Sequence, residues 1–484
     1  MFNILEFVAN EKSMLVAPAG FGKTHTIAEC LKNIKCVKKQ LILTHTHAGV
    51  ASIKEKIKKE NVPNSCFEVE TITSFAQKYV LSFFTGEIPK QEDSNHYYPF
   101  IIEKSIALIK LKPISQIVKS TYSGLIVDEY QDCTKKQHEL ILLLSELFPT
   151  HILGDFLQGI FGFNGEQLVE MNDSAEMKEF ASSCHYLETP YRWLNGNNAA
   201  LGEDLLKIRN VILDSKSIDL TKFRSIETNI IVETDLYNPT KDYNQKIRKL
   251  LSEKNILLIH PDSTSIYPRL NIIKKFNNGF TLIESIDDKD FYKLANEADS
   301  ITNNNNLIQS IITLCKKLFN KTGVQIWFND NGFKRKTKIE DKHKITPIEA
   351  KMRIIEDDFS FTLISAILHD IKQLTGIKCY RRELFNSLCN ALKDADQIKV
   401  SVFEAMIKQR NLTRRVGRKI YGRCIGTTLL TKGLEFDTVA ILNAHKFNCP
   451  KHLYVALTRA SKRLIVFTEQ TTLTPIFHSQ LTLF

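Results

Sequence analysis

A segment near the start of the chain has the residue types that bind phosphate. Residues 17–24 read APAGFGKT. Gly20 and Gly22 let backbone amides turn toward phosphate oxygens, and the N-terminus of a following helix would add the positive end of its dipole. In such loops the lysine, here Lys23, reaches the β- and γ-phosphates, and the next hydroxyl, here Thr24, ligates magnesium. The segment therefore predicts a site for a nucleoside triphosphate with Mg²⁺.

The residues on either side supply the context that a phosphate loop requires. Residues 14–16 form an apolar run and residues 26–31 have a helical pattern, so we expect strand, loop and helix in that order. Ala17 stands where the strict pattern has glycine, so the match fails at one position. The alternative is a glycine-rich turn before a helix. The sequence Gly-Lys-Thr makes that the weaker interpretation.

A second segment carries the acidic residues that phosphate chemistry needs. Residues 125–127 are an apolar run rich in β-branched side chains, which is typical of a buried parallel strand. Asp128 and Glu129 follow directly, at the end of the strand where open α/β sheets bind ligands. Asp128 fits a magnesium ligand, and Glu129 fits the group that orients or deprotonates the attacking water. The alternative is an acidic surface turn, which leaves the apolar run unexplained.

Size, charge and cysteines limit the class of protein. The 484 residues, 43% of them hydrophobic, can form several buried cores, so we expect more than one domain. The net charge of +11 is compatible with a polyanionic partner such as nucleic acid. No apolar run reaches membrane-spanning length, so we expect no membrane partner. The ten cysteines lack metal-site spacing, so we expect reduced, mostly buried thiols in a cytoplasmic protein.

Further blocks follow in a fixed order along the chain. The blocks are 41–56 (LILTHTHAGVASIKEK), 71–75 (TITSF), 128–132 (DEYQD), 153–165 (LGDFLQGIFGFNG), 189–193 (TPYRW), 427–437 (TTLLTKGLEFD) and 453–464 (LYVALTRASKRL). Together with the phosphate loop, these blocks resemble the motif series of the UvrD/Rep-like superfamily 1 DNA helicases. The resemblance covers about residues 10–195 and 425–467.

The resemblance implies an α/β protein with two RecA-like lobes, small helical insertions, and ATP and Mg²⁺ bound between the lobes. It implies that Gln158 senses the γ-phosphate and its water, and that Arg192 and Arg459 act as arginine fingers. A guanidinium suits that role because it is always charged and offers a rigid fork of donors. It also implies that Tyr191 stacks on the nucleotide base and that Glu435 contacts the nucleotide or its loop. The alternative for either arginine is an ordinary surface position.

The sequence departs from the family mainly at positions that face nucleic acid. Thr73 stands where family members commonly have His, residues 163–165 read Phe-Asn-Gly instead of Trp-Arg-Gly, and Leu429-Leu430 replaces His-Ser. The glutamine that usually precedes the phosphate loop is also missing, since the first glutamine is Gln40, and the base preference is therefore open. These substitutions suggest altered handling of DNA beside intact phosphate chemistry.

Contacts to a single strand are predicted from the resemblance and from charge. His45, Thr73 and Phe163 lie at positions that belong to the DNA side in the family, and Phe163 is the best candidate for stacking on a base. Phe75 lies in the same region, but a phenylalanine in an α/β protein is usually part of the core. Arg415 and Arg418 belong to a basic run that adjoins the late block, so we expect them to contact phosphates. Most charge runs are solvated surface, which is the alternative.

Motif positions and helical patterns predict the domain organisation. Residues 1–195 would form the first RecA-like lobe, with a short helical insertion at about 81–120. Residues 196–290 and 415–484 would form the second lobe. Residues 291–414 have helical periodicity and would be a reduced version of the large helical insertion of the family.

The sequence is compatible with two functions. The first is an ATP-dependent motor or helicase on single-stranded or partly duplex DNA, which by resemblance moves 3′→5′. The second is a nucleotide-responsive subunit that gates or recruits a separate nuclease of the OLD family with little unwinding. The chain resembles compact relatives that are known as partners of OLD-family nucleases in anti-phage systems of the Gabija type. The altered DNA-side positions and the small insertion favour the second function.

Overall fold

The structure is a computed structural model that describes most of the chain. The described residues are 2–91, 93–160, 167–285, 289–303, 306–329, 332–416 and 420–476. No helix among them is both long and apolar enough to cross a membrane.

The strands are short, and most of them lie in two six-stranded sheets. Their bounds are β1 Lys12–Val16, β2 Lys39–Thr44, β3 Phe67–Thr71, β4 Tyr122–Val127, β5 Thr150–Gly154, β6 Cys184–Tyr186, β7 Ile218–Asp219, β8 Ile226–Ile230, β9 Ile256–Ile259, β10 Thr281–Leu282, β11 Phe328–Asn329, β12 Gly332–Phe333, β13 Arg423–Gly426, β14 Phe436–Ile441, β15 Ala460–Thr468 and β16 Thr472–Leu473.

Helices separate most of the strands. Their bounds are α1 Ile4–Ala9, α2 Lys23–Asn33, α3 His47–Lys59, α4 Ile72–Phe83, α5 Ser94–Ile109, α6 Lys112–Thr121, α7 Lys135–Ser145, α8 Ser174–Met177, α9 Glu179–Ser182, α10 Tyr191–Asn195, α11 Ala199–Leu213, α12 Asp242–Lys249, α13 Tyr267–Lys275, α14 Lys289–Asp299, α15 Leu307–Leu318, α16 Lys321–Trp327, α17 Ile339–Asp357, α18 Phe361–Gln373, α19 Arg382–Ile398, α20 Val402–Val416, α21 Thr428–Thr431 and α22 Pro450–Leu457.

The first sheet has the strand order β3-β2-β4-β5-β1-β6, and its strands pair in parallel. It is buried on both faces, because successive side chains of a strand point to opposite sides. On β4, Leu125 and Val127 join one hydrophobic cluster, whereas Ile126 joins the other. The predicted buried strand before Asp128 is therefore confirmed. The carboxyl ends of β1, β4 and β5 meet at one edge, where α/β sheets bind ligands.

The chain divides into two compact units, of which unit 1 comprises Met1–Lys246, Asn255–Pro261 and Thr427–Phe484. Unit 1 contains the first sheet. It also contains four parallel strands of the second sheet, in the order β9-β14-β15-β8. Helices flank these strands, as α/β proteins require to cover both faces. The two six-stranded parallel sheets confirm the predicted α/β class.

Unit 2 comprises Ile247–Lys254 and Asp262–Gly426. Its helices α14 to α20 bury one continuous hydrophobic core. The strands β10 and β13 pair in parallel within it, and β11 and β12 form a short antiparallel hairpin. Within the region 291–414, Leu307, Ile311, Leu314 and Leu318 recur at helical spacing and lie on α15.

The cysteine prediction is wrong at one pair. Cys36 and Cys66 form a disulfide, with their Cα atoms 5.4 Å apart. The reason lies in the sheet, since each cysteine precedes one of two neighbouring parallel strands, β2 and β3, that pair from Gln40 and Phe67 onward. Two cysteines 30 residues apart are thus placed side by side. The other eight are free, and six of those are buried.

Candidate active site

The phosphate loop connects β1 to α2 within unit 1. Gly20 has φ 78° and Gly22 has φ 94°, a backbone region that side chains with a Cβ atom disfavour. Space is short as well, because a Cβ atom built on Gly20 would lie 2.8 Å from Cβ of Arg192. Helix α2 begins at Lys23 directly after Gly22. The first backbone N–H groups of a helix have no acceptor within it, so those of α2 can donate to a ligand in the loop. The predicted strand, loop and helix are all present.

Lys23 and Thr24 start the helix at this loop. The Lys23 side chain is buried, and its Nζ donates a hydrogen bond of 3.0 Å to the carbonyl oxygen of Ala17. The ammonium therefore lies over the loop itself, within the strand-to-helix connection. Thr24, the predicted magnesium ligand, is half-buried on the first turn of α2.

Asp128 is a buried carboxylate at the carboxyl end of β4. Its backbone amide donates to the carbonyl oxygen of Leu43 at 2.8 Å, which fixes the chain on the neighbouring strand β2. Its Oδ1 is buried and has no hydrogen-bond partner among the described residues. Burial and the adjacent charge of Glu129 raise the pKa of Asp128 to about 7. An unpaired buried carboxylate oxygen of this kind suits a cation ligand.

Glu129 has the left-handed backbone conformation, with φ 54°. This conformation is uncommon for a residue with a side chain. Gln131 Nε2 donates a hydrogen bond to Glu129 Oε2. Burial opposes ionisation, but the charges of Lys23 and Lys432 and the bond from Gln131 lower the pKa of Glu129 to about 2. Glu129 is therefore an anion held beside the phosphate-loop lysine.

Gln158 and Arg459 contact each other, although 301 residues separate them in sequence. Arg459 Nη2 donates to Gln158 Oε1 at 3.2 Å, and both side chains are buried. Gln158 Nε2 donates to Asp155 Oδ2 at 2.8 Å, so both ends of its amide group are held. Burial and the charge of Arg192 lower the pKa of Arg459 to about 9. The charge of Arg459 also acts on Glu129.

Tyr191 and Arg192 lie against the phosphate loop. The amide of Arg192 donates to the carbonyl oxygen of Gly20 at 3.0 Å, and a Cβ atom on Gly22 would lie 3.1 Å from the Tyr191 ring. Arg192 Nε donates to Glu435 Oε2 at 2.8 Å. Two side chains that were predicted to contact the nucleotide are thus paired with each other. The Tyr191 side chain is about half exposed.

Arg209 is a site residue that the sequence did not indicate. It lies on α11, and its Nη1 donates to Asp155 Oδ1 at 2.6 Å, with the two side chains 6% and 0% exposed. Asp155 thereby holds Gln158 with one oxygen and Arg209 with the other. Nothing in the sequence around Arg209 indicated its partner, which lies 54 residues away along the chain.

Arg209→Met is expected to lower the free energy of unfolding by about 3–5 kcal/mol, because it leaves the buried Asp155 carboxylate without the cation that compensates its charge. The measurement is urea unfolding of the purified chain. Lys207→Met on the same helix is the control, since Lys207 is 65% exposed and Asp204 keeps its hydrogen bonds from Ser225 without it. The control should change stability by less than about 0.5 kcal/mol. Equal effects of the two substitutions would contradict the assignment.

Lys432 is a second residue whose role the sequence did not indicate, although it lies within the motif block at residues 427–437. Its Nζ donates to Asp132 Oδ2 and to the carbonyl oxygen of Gln158. The side chains of Lys432 and Asp132 are 4% and 1% exposed. Burial raises the pKa of Asp132 to about 6 in spite of the charge of Lys432.

The predicted nucleic-acid contacts are only partly described. His45 is half-buried, with its Nε2 3.4 Å from Cys133 Sγ, and burial together with the charge of Lys432 lowers its pKa to about 3. Thr73 is half-buried in the first turn of α4. Phe163 and Arg418 lie outside the described residues, and of Arg415 only the backbone, in α20, is described.

Phe75 is a core residue, as expected. It is fully buried, and its ring packs at 4.9 Å from that of Tyr79 and 6.5 Å from that of Tyr122. A buried ring of this kind offers no face to a base.

Two family models match parts of the chain. Residues 3–164 match an AAA domain, and residues 371–468 match a viral superfamily 1 RNA helicase core domain. The first match contains the phosphate loop, the acidic segment and Gln158. The second contains Lys432, Glu435 and Arg459.

The chain is similar to two curated proteins in particular. The exonuclease/helicase protein RexA of Lactococcus lactis subsp. cremoris (strain MG1363) is 26% identical over 151 residues, which are 30% of this chain and 12% of that protein. The chain thus spans a small part of the length of that relative. The Gabija protein GajB of Bacillus cereus (strain VD045) is 22% identical over 392 residues, which are 78% of this chain and 70% of that protein.

Among solved structures, the Pif1 helicase from Candida albicans aligns over 99% of this chain and 98% of its own, with 12% identity and a TM-score of 0.40. The sequence matches to the two domain models and to the two curated proteins support a superfamily 1 helicase, as the motif order predicted. The UvrD/Rep type stays a prediction.

Proposed function

We propose that the chain is an ATP-dependent motor on single-stranded DNA of the UvrD/Rep type, which hydrolyses ATP at the candidate active site. The main support is that Lys23, Glu129, Gln158 and Arg459 lie within one connected set of contacts and charges in unit 1. A phosphate-binding lysine, a carboxylate and an arginine finger are the parts that phosphoryl transfer to water requires.

Mg²⁺ is part of the proposal, because the residues present fit the ion. The Asp128 carboxylate has a buried oxygen that no described residue hydrogen-bonds, and Thr24 stands on the first turn of the helix that follows the phosphate loop. These two side chains would hold the ion. When bound, Mg²⁺ would neutralise developing charge on the β- and γ-phosphates.

Each of the other residues has a distinct role in the proposal. Glu129, an anion at neutral pH, would accept a hydrogen bond from the attacking water and orient it. Gln158 would place its amide against that water, since Asp155 and Arg459 already fix the orientation of the amide. Arg459 and Arg192 would stabilise charge on the transferring phosphoryl group.

The nucleotide would be held from two sides. Gly20, Gly22 and Lys23 would bind its phosphates, and Tyr191 would stack on its base. Glu435 now accepts a hydrogen bond from Arg192, so entry of the nucleotide would exchange that pair for contacts to the ligand. The base preference stays open, since Gln40 is buried against Ser123 rather than placed before the loop.

The domain assignment also belongs to the proposal. Residues 1–195, with the helical segment at 81–120, would form the first lobe. Residues 196–290 and 415–484 would form the second lobe, and residues 291–414 would be the helical insertion. Hydrolysis would alternately close and open the two lobes. By resemblance the movement is 3′→5′, and a cytoplasmic location fits a partner that is nucleic acid.

The test is the rate of ATP hydrolysis with and without oligonucleotides. Single-stranded DNA should raise the rate many-fold, and an equal rate without DNA would contradict the motor function. An RNA oligomer of the same sequence shows whether the strand must be DNA. Unwinding of partial duplexes with a 3′ or a 5′ overhang tests the polarity, and faster unwinding from the 5′ overhang would contradict the proposed direction.

The contacts to the strand are predicted at His45, Thr73, Phe163, Arg415 and Arg418. Replacing both arginines with methionine should make the slope of log affinity against log salt less negative by about 1.4, because each phosphate contact on a single strand contributes about 0.7. Fluorescence anisotropy with a labelled oligonucleotide measures this slope. Lys334→Met with Lys338→Met is the control, because these two lysines belong to a separate basic run at residues 334–338 (KRKTK). An unchanged slope in the first variant would exclude these contacts.

A second candidate function follows from one similarity. The match to the Gabija protein GajB covers most of both chains. In this alternative the ATP site gates or recruits a separate OLD-family nuclease, with little unwinding. Co-expression with such a nuclease and size-exclusion chromatography distinguish the two functions. A stable complex whose nuclease activity depends on ATP favours the alternative, and a monomer that unwinds DNA by itself favours the motor.

A further inference from the structure

Lys432 occupies an unusual position for a lysine. It directly follows helix α21, and the next residue, Gly433, has φ 81°, which gives the chain the sharp turn before β14. The Lys432 side chain is 4% exposed, so its ammonium is almost removed from water. A buried ammonium requires compensating partners, because burial without them is very costly. Those partners therefore show what the residue does.

Two of its partners lie in different parts of the active site. Asp132 Oδ2 belongs to the acidic segment that contains Asp128 and Glu129. The carbonyl oxygen of Gln158 belongs to the turn that follows β5. Lys432 thus connects two segments of the site. One is the acidic segment that carries Glu129, and the other is the turn that carries Gln158.

The two joined segments also contact each other. The amide of Asp155 donates to Gln131 Oε1 at 2.9 Å, and the other end of the Gln131 amide group donates to Glu129. Two sets of contacts therefore hold the segment of Glu129 and the segment of Gln158 at a fixed separation. One set is made by Gln131 and the other by Lys432. Because Lys432 comes from a segment 300 residues further along the chain than Asp132, its contact forms only when that segment is docked.

A purely structural role is the competing explanation. A buried ion pair is by itself weak support for stability, because the loss of solvation offsets much of the attraction. The bond to the Gln158 carbonyl oxygen is not needed to neutralise Asp132. It fixes the backbone of the residue whose side chain touches Arg459.

We propose that Lys432 is a positioning residue for hydrolysis, which holds the acidic segment and the Gln158 turn at the separation at which Glu129 and Gln158 address the same water. This inference rests on the proposed function. Lys432 does not contact the nucleotide in this role, so nucleotide binding does not depend on it.

The experiment compares Lys432→Met with the double variant Asp132→Asn/Lys432→Met in ATP hydrolysis stimulated by single-stranded DNA. The single variant leaves Asp132 buried without its cation and can fail to fold. The double variant removes both charges, which is far milder for folding. The double variant should lower kcat by about 10²-fold, as expected for misplaced reacting groups. Its KM for ATP and its affinity for a non-hydrolysable ATP analogue should stay within about threefold of wild type.

Lys446→Met is the control, because Lys446 is 48% exposed and pairs with Glu233 at the surface of the same unit. It should keep the wild-type kcat. A folded double variant with wild-type kcat would overturn the inference, as would a parallel loss of analogue binding. A wild-type chain that hydrolyses no ATP under any condition would remove the proposed function, and the inference with it. If the wild-type chain hydrolyses ATP and the double variant does so equally fast, the inference about Lys432 fails but the proposed function stands.

Discussion

Replacing Arg459 with alanine is expected to lower kcat for ATP hydrolysis by about 10³–10⁵-fold, the range typical of arginine fingers. The guanidinium is buried beside Gln158, and its charge acts on Glu129, so its removal takes away both a positive charge and an oriented donor. Arg459→Lys should recover little of the loss, because an ammonium lacks the planar fork of donors. Steady-state ATPase assays with single-stranded DNA measure both variants.

Arg463→Ala is the matched control. Arg463 lies four residues further along, 41% exposed, and its Nη2 donates to Glu227 Oε2 at 2.8 Å on the surface. We expect it to hydrolyse ATP at nearly the wild-type rate. Circular dichroism and thermal unfolding establish that each variant is folded. A folded Arg459→Ala variant within about tenfold of wild type would show that Arg459 does not act as a finger.

Glu129→Gln is expected to lower kcat by about 10²–10⁴-fold and to leave ATP binding intact. The amide has the same shape as the carboxylate, but it is a much weaker hydrogen-bond acceptor for the attacking water and cannot take its proton. The charges of Lys23 and Lys432 keep the wild-type residue ionised at neutral pH, since they lower its pKa to about 2. The variant should bind ATP at least as tightly, because one negative charge near the phosphates is lost.

Single-turnover hydrolysis and equilibrium binding of a fluorescent ATP analogue separate the two effects. Glu139→Gln is the control, since Glu139 is 41% exposed on α7 and pairs with surface lysines. Retained turnover in Glu129→Gln would remove Glu129 from its role. Lost analogue binding would instead assign it to binding.

The parts of the site that depend on local sequence could be predicted. The phosphate loop needs Gly20 and Gly22 because both have positive φ, and the acidic pair ends a strand whose residues are apolar because both faces of the sheet are covered. Strand, loop and helix are neighbours in sequence. Their geometry therefore follows from residue types and spacing.

The contacts that complete the site could not be predicted. Arg209 meets Asp155 across 54 residues, and Lys432 meets Asp132 across 300, so both contacts depend on how sheets and helices pack. From sequence alone, an arginine in a helix or a lysine in a turn is first interpreted as an ordinary surface residue. The disulfide between Cys36 and Cys66 was missed for the same reason, because it depends on which strands are neighbours in the sheet.

The central claim is that Lys23, Asp128, Glu129, Arg192 and Arg459 surround a single nucleoside triphosphate. The most direct test is a crystal structure of the chain with ADP, aluminium fluoride and Mg²⁺. We expect Lys23 Nζ and the guanidinium groups of Arg192 and Arg459 to lie within about 3.2 Å of phosphate oxygens or fluorides. A nucleotide bound at Lys23 with both arginines turned away from it would contradict the account.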